Sequence, residues 1–240
     1  MPNSHFHKIV KAIAQLTYYL SHDFLGGPKH LKFAHVINFQ KGLTGLWVLG
    51  LMVYFQNYSI QSWIYLALHG SYGVCWLIKD LAFPDQNWQK KVTYGGALLA
   101  ITFVLGPYWL FSFILISPTL LPDITGASLP WLAVAIATHT IGLSVMMAAD
   151  AQKYFVLETK KELITNGMFK HIRHPNYLGE IMIYGSYAVI VWHWLPWVIL
   201  FSIWTLIFGV NIVMKEQSMA RYDKWKEYKT RSGLLLPKFF

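Results

Sequence analysis

Asp150, Gln152 and Lys153, and further along the chain Arg173, His174, Asn176, Tyr177 and Glu180, bring acidic, amide, basic and aromatic side chains into a segment flanked by apolar runs. Unpaired polar groups are costly beside a bilayer, so this concentration of hydrogen-bonding capacity reads as a socket for a large, polar, anionic cofactor. Pro175 fits the first position of a helix, which sets Asn176 and Glu180 on one face of the opening turn. A helix N-terminus offers free N–H groups and a partial positive charge to phosphate, and Arg173 can fork onto the same group. Asn176 can read an amide or hydroxyl, and Glu180 can accept from a ribose hydroxyl or a carboxamide. Gly167 allows a turn and Gly179 allows close backbone approach.

Four acidic residues fall at the expected helix ends: Asp80, Asp150, Glu180 and Glu216. They form either one shared site or a set of local ion pairs with Lys79, Lys153, Arg173 or Lys215. His69 and His139 lie within apolar runs and read as hydrogen-bonded core residues rather than metal ligands. No zinc-type spacing, nucleophile elbow, Walker loop or G-x-G-x-x-G turn occurs, so no metal is expected and any nucleotide must bind without a soluble nucleotide fold. Cys75 is the single cysteine, which excludes an internal disulfide.

The elements that must position these groups are membrane helices. Of 240 residues, 55% are hydrophobic and only 13% charged, with a mean hydropathy of +0.38. The pattern describes an all-α integral membrane protein of one domain. Apolar runs at 42–55, 60–78, 92–116, 129–149, 181–194 and 196–214 are measured against the roughly 20 residues needed to cross, and give about six spans. Short links at 56–59, 117–128 and 193–196 make helical hairpins of them. In this arrangement all 20 Lys and Arg, including a group from Lys8 to Lys41 ahead of the first span, fall on one face, which the positive-inside rule makes cytosolic, with both termini. The formal charge of +9 then faces anionic lipid and anionic ligands, not nucleic acid.

The organisation expected is an interfacial segment at 1–41, substrate-side spans at 42–149, and a cofactor-binding half at 150–240 that ends in an amphipathic helix. Residues 6–25 suit a helix lying in the membrane interface, with a disordered leader as the alternative, and show no cleavable signal pattern. The basic, aromatic stretch from Arg221 to Arg231 suits either a headgroup-binding helix or a lid folded back over the site.

The string LITNGMFKHIRHPNYLGE from Leu163 to Glu180, followed by two spans and by Trp225 to Pro237, resembles the C-terminal half of the membrane steroid and sterol reductases. It is also similar to the isoprenylcysteine carboxyl methyltransferases and the phospholipid methyltransferases. The likeness covers roughly the last hundred residues, and the Asp150–Lys153 step together with Glu180 resembles the reductase branch. That resemblance implies NADPH held by Asp150, Asn176 and Glu180. Gln152, Lys153, Arg173, His174 and Tyr177 would lie nearby, and Glu216 and Tyr228 in the covering C-terminal segment. It further implies hydride delivery to an activated double bond of a sterol-like or other enone lipid, while Tyr72, Asp80 and Tyr94 are candidates for the acid that polarises the carbonyl only because they should sit near the cofactor's level. The chain departs from the steroid reductases at the end of the second span, where Cys75, Trp76, Ile78, Lys79 and Asp80 replace a His-Tyr and Arg group. The alternative the resemblance implies is an S-adenosylmethionine-dependent methyltransferase. The membrane would be the endoplasmic reticulum in a eukaryote or the inner membrane in a bacterium.

Overall fold

A computed structural model describes residues 4–238, and the chain is an all-α membrane bundle. α1 (Ser4–His22) precedes α2 (Phe33–Phe55) and α3 (Ile60–Ala82). α4 (Tyr94–Leu99) runs through a π-helical turn at Ala100–Leu105 into α5 (Gly106–Ile116), so the three form one continuous helix. α6 (Leu129–Thr159) and α7 (Pro175–Val191) follow. α8 (Trp194–Ile203) likewise passes through a π turn at Trp204–Gly209 into α9 (Val210–Met219), and α10 (Trp225–Arg231) closes the chain.

Local chemistry fixes the boundaries. The side chain of Ser59 caps α3 by accepting from the Ser62 N–H, and Thr93 caps α4 by accepting from the Gly96 N–H at 3.1 Å. Pro175 opens α7, and Trp192 ends it in the left-handed region at φ 55°. The hairpin links expected after Phe55 and after Ile116 are present, and the corner expected at 193–196 falls at 192–193, because α8 already begins at Trp194.

Among the described residues, four helices are long and apolar enough to cross a membrane: Phe33–Phe55, Tyr94–Ile116, Leu129–Thr159 and Trp194–Met219. α3 carries His69, Lys79 and Asp80, which lower its hydropathy, and α7 has only 17 residues. Both are packed into the bundle beside the four. Two expected boundaries move. α2 begins at Phe33, so Lys41 lies inside a helix instead of ahead of it, and α6 continues past Asp150 to Thr159.

α6 and α7 pack closest, because each presents glycine to the other. A Cβ on Gly179 would sit 2.6 Å from the Gly142 carbonyl oxygen, and one on Gly142 would sit 2.8 Å from the Gly179 carbonyl oxygen. Small residues permit this backbone approach between membrane helices. The short antiparallel pair β1 (Leu31–Lys32) and β2 (Lys91–Val92) ties the start of α2 to the segment before α4. It lies at the end of the bundle where α3 finishes and α7 begins, called the rim below.

Candidate active site

Two polar regions sit one above the other, a partly paired rim and a cage around one lysine beneath it. At the rim, Lys79 of α3 meets Asp150 of α6 at 2.7 Å, and Asp85 after α3 meets Lys153 of α6 at 3.1 Å. Burial opposes the charge on Asp85, but Lys153 and the Asn87 N–H outweigh it and hold the carboxyl below its ordinary value.

Arg173 is the centre of a latch. Its Nε donates to Glu216 of α9 at 2.9 Å, and His174 Nε2 reaches the same oxygen at 3.0 Å. Arg173 Nη1 also donates to the carbonyl oxygen of Ser232. Backbone bonds continue the tie: Arg173 N–H donates to Gly233 O, and His174 N–H to Leu234 O. Burial pushes His174 below its ordinary value, against the attraction of Glu216.

Two more residues expected around a cofactor are engaged in folding the loop before α7. Gln152 Nε2 donates to Asn166 O at 3.0 Å, while its Oε1 accepts from Met168 N–H at 2.9 Å. The turn between them needs Gly167, at φ +55° and pressed against the Gln152 amide. Tyr228 Oη, in α10, donates to Phe169 O at 2.7 Å, and burial pushes its hydroxyl up to about 12. With Trp225 and Tyr228 buried, α10 is folded back onto this loop instead of lying free. The phosphate fork expected of Arg173 therefore meets a guanidinium already turned to Glu216 and Ser232.

The remaining rim groups have no such partners. Among the described residues, Asn176, the Tyr177 hydroxyl and the Glu180 carboxylate make no hydrogen bond or ion pair within the protein. The charges that act on Glu180 are Lys79, Asp150, Lys41 and Lys215. Lys215 of α9 lies over the Tyr177 ring at 4.5 Å without a carboxylate in ion-pair range. Asn176, Tyr177, Glu180 and Lys215 thus offer unpaired donors and acceptors on two helices, beside Asp150 of α6, which is paired with Lys79. That donor set fits a polar nucleotide such as NADPH.

Beneath them lies the cage. Lys41 of α2 is 3% exposed, and its Nζ donates to Tyr184 Oη of α7. The same ammonium stands 4.8 Å from the ring centres of Tyr72 and Tyr184, 5.1 Å from Trp76 and 5.4 Å from Tyr108. Tyr72 Oη lies 3.4 Å from Tyr184 Oη. No carboxylate comes within ion-pair distance of Lys41 among the described residues. Cation–π contact compensates part of the desolvation, and Glu180, beyond ion-pair distance, is the carboxylate whose charge acts on Lys41.

The three expected acids separate. Tyr72 is fully buried in the cage. Asp80 accepts from Asn38 Nδ2 at 2.7 Å and from Gln89 Nε2 at 3.4 Å, which turns it to the α2 rim. Tyr94 is 59% exposed beside His30 and joins neither. Lys41, Tyr108 and Tyr184 were missed because Lys41 read as part of a basic leader. Ala34, Val36 and Ile37, apolar residues immediately ahead with no Gly or Pro break, were the sign that the helix starts earlier.

Fold and site together define a polytopic helical membrane protein with a partly paired polar rim over a buried cationic cage. The chain belongs to the family of proteins of unknown function DUF1295, whose model matches residues 31–232 and which is a steroid-reductase-like membrane family related to the phosphatidylethanolamine methyltransferases. An uncharacterized protein of Schizosaccharomyces pombe is 42% identical over 65 residues, 27% of this chain. The chain covers 22% of that relative's length.

Proposed function

We propose that the protein is an NADPH-dependent reductase of an activated carbon–carbon double bond in a membrane lipid. It would be a six-span enzyme with the rim on the cytosolic side, in the endoplasmic reticulum of a eukaryote or the inner membrane of a bacterium. The observation that carries this reading is the caged Lys41, a buried ammonium with a tyrosine hydroxyl on it and, among the described residues, no carboxylate within ion-pair distance.

Asp150, Asn176, Tyr177, Glu180 and Lys215 would hold NADPH, which supplies a hydride when bound. The cage residues do the rest. Lys41 and Tyr184 direct donors at a carbonyl oxygen conjugated with the double bond, and their pull grows as that oxygen gains charge. Donors fixed in a water-poor site are worth far more than in water and need no reorganisation at the moment of reaction. Tyr72, adjoining Tyr184, completes the hydroxyl pair; after hydride addition Lys41 would pass a proton through Tyr184 to the enolate oxygen, and the enol would tautomerise to the saturated carbonyl. The apolar spans admit the lipid sideways.

A second reading, S-adenosylmethionine-dependent methylation of a lipid carboxylate, draws on the same ammonium, which would also attract a carboxylate. It carries less weight because aromatic rings that could stabilise a sulfonium are already filled by Lys41. The test is transfer of deuterium from labelled NADPH to an enone lipid by the purified protein, read by mass spectrometry. The reading expects the label in the lipid with wild-type protein and its loss in Lys41→Met. Methyl transfer from S-adenosylmethionine, with no deuterium transfer, would replace it with the second reading.

A further inference from the structure

One residue before the caged lysine stands a side chain that neither the fold nor the proposed chemistry uses. Gln40 is 0% exposed, and both its Oε1 and its Nε2 lack any hydrogen-bond partner. An amide buried with donor and acceptor both unmet is destabilising, and the native fold offers no compensation for it at this position. Its backbone is in order, since the Gln40 carbonyl accepts from Thr44 Oγ1 at 2.8 Å. The defect is confined to the carboxamide.

The surroundings indicate what could satisfy it. Gln40 lies one turn before Thr44 on the same face of α2, and Thr44 Oγ1 accepts from the Trp109 indole N–H of α5 at 2.8 Å. This face of α2 packs against the helix formed by α4 and α5, including the π turn at Ala100–Leu105. Single π turns inside longer helices are frequent at functional sites. Tyr108, just past that turn, is itself a wall of the Lys41 cage. The unpartnered amide and the π turn are separate observations, and each stands next to a cage residue in the chain, Gln40 beside Lys41 and the turn just ahead of Tyr108.

We infer that Gln40 is a specificity-determining residue that hydrogen-bonds a hydroxyl group on the lipid substrate, close to the carbonyl held by Lys41. A hydroxyl donates to Oε1 and accepts from Nε2, so a single substrate group meets both unmet atoms. The substrate class becomes a hydroxylated enone lipid, and an otherwise identical lipid without the hydroxyl is disfavoured because it leaves the amide unpaired. This rests on the reductase reading for the nature of the carbonyl, but not for the recognition itself.

The experiment uses the full chain in lipid nanodiscs, without NADPH, and two long-chain cyclohexenones, one plain and one carrying a ring hydroxyl. Wild-type protein is expected to bind the hydroxylated probe about tenfold more tightly, the size of one net hydrogen bond. Gln40→Leu is expected to abolish that preference while raising the melting temperature of the ligand-free protein, because it removes an unsatisfied amide. Gln40→Met is the second variant should leucine prevent membrane insertion. A glutamine that only supports the fold would melt lower when replaced and would leave the preference intact. That result, equal binding of the two probes by wild type, or binding of neither, overturns the inference. Because no turnover is read, a preference that disappears in Gln40→Leu stands even if deuterium transfer fails, and transfer without any preference sinks this inference alone.

Discussion

The rim latch and the Lys41 cage have similar ingredients and opposite states of satisfaction. In the latch, Arg173, His174, Glu216 and Ser232 satisfy one another across the loop before α7, α9 and the C-terminal segment. In the cage, Lys41 has aromatic rings and one hydroxyl but no carboxylate within ion-pair distance, and the neighbouring Gln40 amide has no hydrogen-bond partner. Polar groups that complete one another hold structure, and polar groups left incomplete in an apolar interior are poised for something that arrives. The difference separates the residues that fold this protein from those that would act in it.

The sharpest way to break the comparison is to exchange the consequences. Arg173→Met leaves the half-buried Glu216 with His174 alone, and losing a hydrogen bond to a charged group costs about 1.5–3 kcal/mol. Chemical unfolding in detergent should register that loss. Lys41→Met should do the reverse. Turnover of an enone lipid should fall by about 10²–10³, the cost of one preorganised donor, while the ligand-free protein melts no lower than wild type. A stable Arg173→Met beside an unstable Lys41→Met would erase the distinction.

Smaller effects sharpen it. Tyr228→Phe removes a buried donor to Phe169 O and should cost about 1 kcal/mol of stability, read as a lower melting temperature. Acid should loosen the rim as well. Folding lowers the values of both Asp85 and His174, so each contributes stability that is present above its unfolded value and disappears as pH falls through its folded value. The melting temperature should therefore decline first below the ordinary histidine value of 6.5, and again below the ordinary carboxyl value of 3.8. His174→Gln should shrink the first step, of which His22, also held below its ordinary value by burial, keeps a part, and leave the second.

The bundle was largely legible in the sequence because apolar runs and their breaks are local. The links after Phe55 and Ile116, the helix start at Pro175 and the close approach at Gly179 follow from residues near one another in the chain. The site was legible only at the level of the rim. That Arg173 is committed to Glu216 and Ser232, and Gln152 to the Gly167 turn, depends on partners far along the chain, which no spacing rule displays. The cage was hidden for the same reason. Lys41, Tyr72, Tyr108 and Tyr184 come from four helices, and a lysine near an amphipathic leader looks solvated until the start of α2 is known.

The most direct test is ligand choice by the unaltered protein. A ligand that binds the native state raises its apparent stability by mass action, so thermal unfolding of the purified chain in detergent should be followed across titrations of NADPH and of S-adenosylmethionine. A melting temperature that climbs with NADPH and stays level with S-adenosylmethionine is the predicted result. Stabilisation by S-adenosylmethionine with none by NADPH would contradict it.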